Sequence, residues 1–287
     1  MATLKTIPIR IGHSPDPDDA FMFYAIAHEK INMRGFKVRH VIEDIESLNQ
    51  RALKGELEVT AVSCHAYAYL AEKYLVMRSG ASVGDNYGPI LVRRATHNEQ
   101  SQNLKVAIPG KLTTAYLILQ LYSLSDECCG LRGFKTVFVP FDKIFDAVKS
   151  GEVDYGLVIH EGQITHNEHG LEKVLDLGEW WYAKTQLPLP LGIDIIRRDL
   201  GQETIAAFSG FFKESIEYAL NHRKDALEYA SQFGRGIADD LNDKFVAMYV
   251  NNRTVDLGAD GEAGFRRLLD EACSNKIIPE KIKLELI

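Results

Sequence analysis

Residues 7–26 read IPIRIGHSPDPDDAFMFYAI, and residues 105–122 read KVAIPGKLTTAYLILQLY. Each stretch opens on a short apolar run rich in β-formers, Ile7–His13 and Lys105–Ile108. Each then passes through a proline-bearing turn and continues as an apolar helix. The helix starts Asp19-Ala20-Phe21 and Thr114-Ala115-Tyr116 lie 95 residues apart (114 − 19). Further along, ALKGELE (52–58) and AVKSGEVD (147–154) align about Gly55 and Gly151 at an offset of 96. Two βα units at near-constant spacing predict an α/β fold of two pseudo-symmetric lobes with largely parallel sheets and a cleft between them.

In the first lobe the patterning predicts a helix over Ala20–Glu29 with Asp18 or Asp19 as N-cap, a strand Phe36–Ile42, a helix Glu46–Leu53 and a strand Leu57–Ser63. A helix then runs through Tyr74. The second round predicts a helix Thr113–Tyr122, a strand Thr136–Pro140, a helix Asp142–Lys149 and a strand Val153–Ile159. From Ile193 the chain reads as helical, with Glu203–Leu220, Arg223–Phe233 and Gly264–Cys273. This last segment is expected to return to the first lobe. The first lobe is then discontinuous, 1–93 plus 194–287, with 94–193 inserted, and crossings near Val92–Ala95 and Pro190–Asp194 could act as hinges. Ligands of parallel sheets collect beyond the carboxyl ends of strands, which singles out His13–Asp19, Ala61–His65, Pro109–Ala115 and Ile159–Gln163.

Composition narrows the class of partner. The 287 residues carry 33 Lys+Arg against 40 Asp+Glu, a net charge of −7, with 46 % hydrophobic and 25 % charged residues. This is ordinary globular composition with no basic block for nucleic acid, and no apolar run approaches the roughly 20 residues needed to span a bilayer. Pro8 and Arg10 interrupt any signal-peptide core. Cys64, Cys128, Cys129 and Cys273 show no C-x-x-C spacing, which fits a reducing compartment. A cytoplasmic location is expected, with neither nucleic acid nor membrane as partner.

Among chemistry-bearing residues His160 stands out, because it ends the apolar run Gly156-Leu157-Val158-Ile159. Its imidazole titrates near neutral pH and suits proton abstraction; the plainer reading is a buried histidine bonded to backbone. Glu161 follows and could orient the ring, although neighbouring strand residues face opposite ways. His160, Glu161, His166, Glu168 and His169 crowd together, but a zinc helix needs histidine at position 164, where Ile164 stands. No metal site is expected, and His166 and His169 read as solvated. Thr113 and Thr114 open a helix whose free N–H groups suit a carboxylate or phosphate, or simply cap it. Ser63 could likewise donate to a ligand or cap the helix after it. Asp16, Asp18 and Asp19 read as turn and cap, since Ala20 stands where a calcium loop needs glycine. No G-x-S-x-G or G-x-G-x-x-G motif is present.

Taken together, Ser14-Pro15 with Asp19 and Phe21–Ala25, Ser63 in VSCHAY, Thr113–Tyr116 after Pro109-Gly110, Ile159-His160-Glu161 and the LPLPLG of 187–192 resemble the 1,4-dihydroxy-6-naphthoate synthase family of the futalosine route to menaquinone. The similarity runs through almost the whole chain. It implies the type II periplasmic-binding-protein fold, used without metal or organic cofactor on a small carboxylate substrate. It further implies a lyase that converts cyclic dehypoxanthinylfutalosine to 1,4-dihydroxy-6-naphthoate and releases a three-carbon sugar fragment. In that reading His160 is the base, while Ala61, Val62, Ser63, Thr114 and Ala115 contact substrate. The chain departs from the family pattern at Asp16, Asp18 and Ala20, where Cys, Asn and Thr are usual, and at Ala61, where Lys is usual. These changes add negative charge near a carboxylate, at about 1 kcal/mol per close pair, which Lys111 or Arg78 would have to offset. The competing expectations are a non-catalytic solute-binding protein for a small anionic ligand, and chorismate dehydration on the same fold.

Overall fold

The computed structural model describes residues 6–95, 104–128, 130–233 and 238–287; Met1–Lys5, and Cys129 among the cysteines above, lie outside the described residues. In the first round come β1 (Ile7–His13), α1 (Pro17–Ala27), β2 (Phe36–Ile42), α2 (Ile45–Leu53), β3 (Val59–Ser63) and the single-turn α3 (Cys64–Tyr67). The short strands β4 (Tyr74–Val76) and β5 (Ser82–Gly84) lead to β6 (Ile90–Arg94). The second round runs β7 (Lys105–Ile108), α4 (Thr114–Leu124), β8 (Lys135–Phe138), α5 (Ile144–Ser150), β9 (Tyr155–Val158), α6 (Gly162–Thr165), β10 (Leu171–Asp176) and α7 (Leu177–Thr185). After β11 (Leu189–Arg197) follow α8 (Gln202–Asn221), α9 (Arg223–Ser231), α10 (Asp239–Tyr249), α11 (Asn252–Val255) and α12 (Gly258–Ser274).

The sequence echo becomes matched topology. One sheet runs β2-β1-β3-β11-β4, with β5 also on β11, and the other, read in the same sense, β8-β7-β9-β6-β10. In the first sheet β1 is parallel to β2 and β3 while β11 is antiparallel to β3. In the second, β7 is parallel to β8 and β9 while β6 is antiparallel to β9. Each sheet thus takes its antiparallel strand from outside its own βα round. Val92–Arg94 of the first expected crossing lies in β6, and Pro190–Asp194 lies in β11. The chain changes sheet between Gly84 and Ile90 and again between Asp176 and Leu189.

Local chemistry explains most elements. The α1 helix is apolar nearly all round, and Ala20 to Ile26 are buried between the sheet and the helices α8 and α9. It starts at Pro17 with Asp16 as N-cap, not at Asp18 or Asp19, because proline suits the first helical position. Asp44 caps α2 by accepting from Ser47 N at 3.0 Å, and Gly151 ends α5 at φ +82°. Ile205, Phe208, Phe212, Ile216 and Ala219 give α8 its buried stripe. The helix expected to reach Tyr74 lasts one turn instead. Tyr74 opens β4 against β11, and its hydroxyl donates to Leu57 O at 2.9 Å, so tertiary pairing overrides the helical pattern. The last helix begins at Gly258, ahead of the expected Gly264. Cys64, Cys128 and Cys273 are free thiols.

Candidate active site

All four strand ends singled out in the sequence open into one cavity between the sheets. Ser14, Asp16, Asp18 and Asp19 line it from the β1 end, Ala61 and Ser63 from β3. The opposite side carries Thr113, Thr114 and Ala115 at the mouth of α4, with Ile159, His160 and Gln163 beyond β9. Of the expected contact residues, Val62 is not part of this wall. It is fully buried in the core on the other face of β3, because alternate residues of a strand face opposite ways.

His160 follows β9 with φ +61°, a left-handed backbone uncommon for a residue with a Cβ. Its Nδ1 meets Asp16 Oδ2 at 2.7 Å, and Phe141 packs edge-on with ring centroids 4.9 Å apart. The orienting partner is thus Asp16, not the adjacent Glu161. Burial works against the imidazolium, but the Asp16 carboxylate and its hydrogen bond outweigh it, so the pKa of His160 lies above its usual value. Asp16 is itself held by Ser14, whose hydroxyl donates to Oδ2 at 2.8 Å and accepts from Asp16 N at 3.2 Å. Ser14 N in turn donates to Asp19 Oδ2 at 2.6 Å.

The acidic departures therefore carry less negative charge than their formal count. Asp16 is matched by His160. Burial, reinforced by Asp19 and Asp16, pushes the Asp18 carboxyl well above the carboxylate range. Burial lifts Asp19 to about 6 against the restraining Ser14 N–H. The cations expected to compensate are engaged elsewhere. Lys111 lies over the Phe138 ring at 4.8 Å, and Arg78 pairs with Asp256 at 3.3 Å and Glu262 at 3.4 Å.

The hydroxyl side of the cavity is equally constrained. Thr113 caps α4 by accepting from Tyr116 N at 3.2 Å while its hydroxyl donates to Gly110 O at 2.9 Å. Thr114 and Ala115 open α4, so their N–H groups have no partner within their own helix, and both residues line the cavity. The Thr114 hydroxyl donates to Leu191 O at 2.5 Å. Leu191 is skipped in the register between β11 and β5, so the bulge turns its carbonyl away from the ladder. This gives the LPLPLG motif its place: Leu191, Gly192 and Ile193 form part of the wall. Ser63 is clamped by buried Asn49, which accepts from Ser63 N at 2.9 Å and donates to its hydroxyl at 3.2 Å.

Several contacts tie the two sides together. Tyr249 on α10 donates to Gln163 Oε1 at 2.7 Å, and Glu46 on α2 accepts from Leu112 N at 3.1 Å. Sequence reasoning missed Asn49, Phe245 and Tyr249. Asn49 left a faint signal, a polar residue beside Leu48 and Ala52 on the apolar face of α2; Phe245 and Tyr249 left none within an ordinary amphipathic helix. His166, expected to be solvated, is buried with Nδ1 3.0 Å from Gln163 O, while His169 is exposed as expected. Among the described residues no three His, Cys, Asp or Glu side chains are placed to hold a metal ion, and no helix is long and apolar enough to cross a membrane.

Comparison with known proteins agrees with this fold. Residues 9–273 match the family model described as menaquinone biosynthesis. A 1,4-dihydroxy-6-naphthoate synthase of Thermus thermophilus is 40 % identical over 264 residues, covering 92 % of this chain and 93 % of the relative. A crystal structure of an Archaeoglobus fulgidus protein superposes at TM-score 0.87 with 44 % identity, covering 94 % of this chain and 98 % of that one. An alkanesulfonate-binding protein of Xanthomonas axonopodis shares the fold alone, at TM-score 0.73 and 12 % identity over 98 % of both chains. Two lobes of the periplasmic-binding-protein kind, a cavity walled by a histidine and a helix mouth, and identity sustained along nearly the whole length lead to one conclusion: the chain belongs to the menaquinone-biosynthesis family and is an enzyme of that route.

Proposed function

We propose that the protein is a carbon–carbon lyase that converts cyclic dehypoxanthinylfutalosine to 1,4-dihydroxy-6-naphthoate, with His160 as general base. The observation that carries this reading is the placement of His160 and the α4 N-terminus on one cavity wall. A substrate carboxylate is attracted to the N–H groups of Thr114 and Ala115, where the helix dipole favours negative charge. The Ser63 hydroxyl, fixed by Asn49, adds a directional contact. The hydroxyl-bearing ring then lies toward His160 and the buried carboxyls of Asp18 and Asp19.

The free imidazole removes a proton from that ring to start ring opening and carbon–carbon cleavage. Aromatisation of the naphthoate makes the overall process downhill. A positioned base contributes about 10²–10⁴ in rate, and a walled site that excludes water holds a flexible ring near its reactive geometry. The relatives are named for formation of 1,4-dihydroxy-6-naphthoate, which supports this product.

The test is turnover of the cyclic futalosine derivative by purified protein, with His160→Asn as the variant. Asparagine tolerates the left-handed backbone that His160 adopts, so the fold is retained. Loss of about 10²–10⁴ in kcat with little change in melting temperature is expected. Wild-type protein that binds the compound and leaves it intact, or a variant with full turnover, refutes the proposal.

A further inference from the structure

Asp16 and His160 come from different lobes, yet their side chains meet at 2.7 Å. Resting on the reading of His160 as the base, we propose that Asp16 is a positioning residue that fixes the tautomer of His160. Nδ1 carries the proton and Nε2 is presented to the substrate.

Four features support this. The Asp16 side chain is only 4 % exposed and that of His160 16 %, so water competes weakly for either group. A carboxylate accepts and does not donate, so the ring nitrogen facing it must bear the hydrogen. Asp16 makes no side-chain cap hydrogen bond to the helix it opens. Finally, Ser14 donates to the same Asp16 oxygen at 2.8 Å and holds the carboxylate in place as the ring turns over protons.

In the step itself, Nε2 takes the proton from the substrate carbon, whose electron pair stays on the substrate. The ring becomes imidazolium, with one hydrogen bond already directed at Asp16. No proton needs to pass to Asp16. The proton on Nε2 leaves later to product or solvent, restoring the starting tautomer. The other titratable groups facing the ring are Asp18 and Asp19 from the start of α1 and the adjacent Glu161. Asp142, Glu168 and His169 line the groove on its far side. Phe141, packed against the ring, is uncharged.

Asp16 is one of the positions where the chain departs from the pattern it resembles, so this arrangement is a property of its own residues. The experiment uses Asp16→Asn, which keeps shape and removes charge. In wild type the acid limb of the kcat/KM profile reports release of the proton that blocks the base. In the variant that limb moves to lower pH, and the plateau of kcat falls by about 10²-fold with KM changed little. Ring nitrogen NMR of the ligand-free protein, with the His160 signals assigned through His160→Asn, shows the Nδ1–H tautomer in wild type and a tautomer mixture in D16N.

A wild-type Nε2–H tautomer, or a D16N acid limb at the wild-type pH, overturns the proposal. The NMR measurement needs no substrate, so it separates failure of the positioning role from failure of the assigned reaction.

Discussion

Replacing Asp194 by asparagine separates the charge of that side chain from its volume. Asp194 sits on β11 opposite Ala61 of β3 and is 1 % exposed. Neither of its carboxyl oxygens takes a hydrogen bond among the described residues. Burial, with repulsion from Asp19 second, pushes its pKa well above the usual value. The folded protein therefore holds a proton that the unfolded chain releases above about pH 4. For a group raised in the folded state, stability is complete below the unfolded pKa and falls as pH rises. The slope is about 1.4 kcal/mol per pH unit until the folded pKa is reached. The asparagine of the variant titrates in neither state. The stability of D194N minus that of wild type should rise by about 1.4 kcal/mol per pH unit from about pH 4. The unpaired amide subtracts a pH-independent amount of about 1–3 kcal/mol, so the variant starts less stable and gains on wild type. Asp19 titrates in both proteins and largely cancels in the difference. Urea unfolding of both proteins from about pH 4.5 to 8, with m-values compared, measures the slope. A difference that stays flat across this range would show that Asp194 is charged in the fold, and the reading of it as a buried neutral acid would be wrong.

Two further substitutions probe the packing around Asp194 and Ser63. Gly80→Ala at φ +95° puts a Cβ 2.2 Å from Asp194 Oδ2 and 2.6 Å from Phe212 Cε1. It should cost about 2–4 kcal/mol, read as a lower melting temperature; an unchanged melt would mean that the Asp194 carboxyl can swing aside. Asn49→Ala strips Ser63 of both its amide acceptor and its hydroxyl donor. It should lose about 1–3 kcal/mol of stability and raise KM more than it lowers kcat; steady-state kinetics showing the reverse would place Ser63 in the chemical step.

Much of the fold is legible in the sequence because its signals are local. Phe36–Ile42 reads as a strand with the ends the structure shows, Ile7–Gly12 as a strand that the structure carries one residue further to His13, and the repeat at offsets 95 and 96 foretells two sheets of matching order. His160 stands out from its place after an apolar run, whatever lies opposite it. The misses have physical causes of two kinds. Tyr74 sits in a pattern compatible with helix, and only pairing with β11 makes it a strand. Val62, by contrast, is placed on the far face by strand alternation alone, since Ala61 and Ser63 on either side of it line the cavity.

The sequence by itself determined the architecture, because hydrophobic period, turn chemistry and capping act within a few residues of one another. It also determined that four loops would share one end of the lobes. Only the tertiary structure decided the electrostatics of the site. Asp16 looked like an added negative charge and became the partner of His160. Asp18 looked charged and became a desolvated acid, and Lys111 and Arg78 were drawn to other partners. Charge and proton affinity depend on distance and burial in space, and residues from opposite lobes acquire both only when the chain has closed on itself.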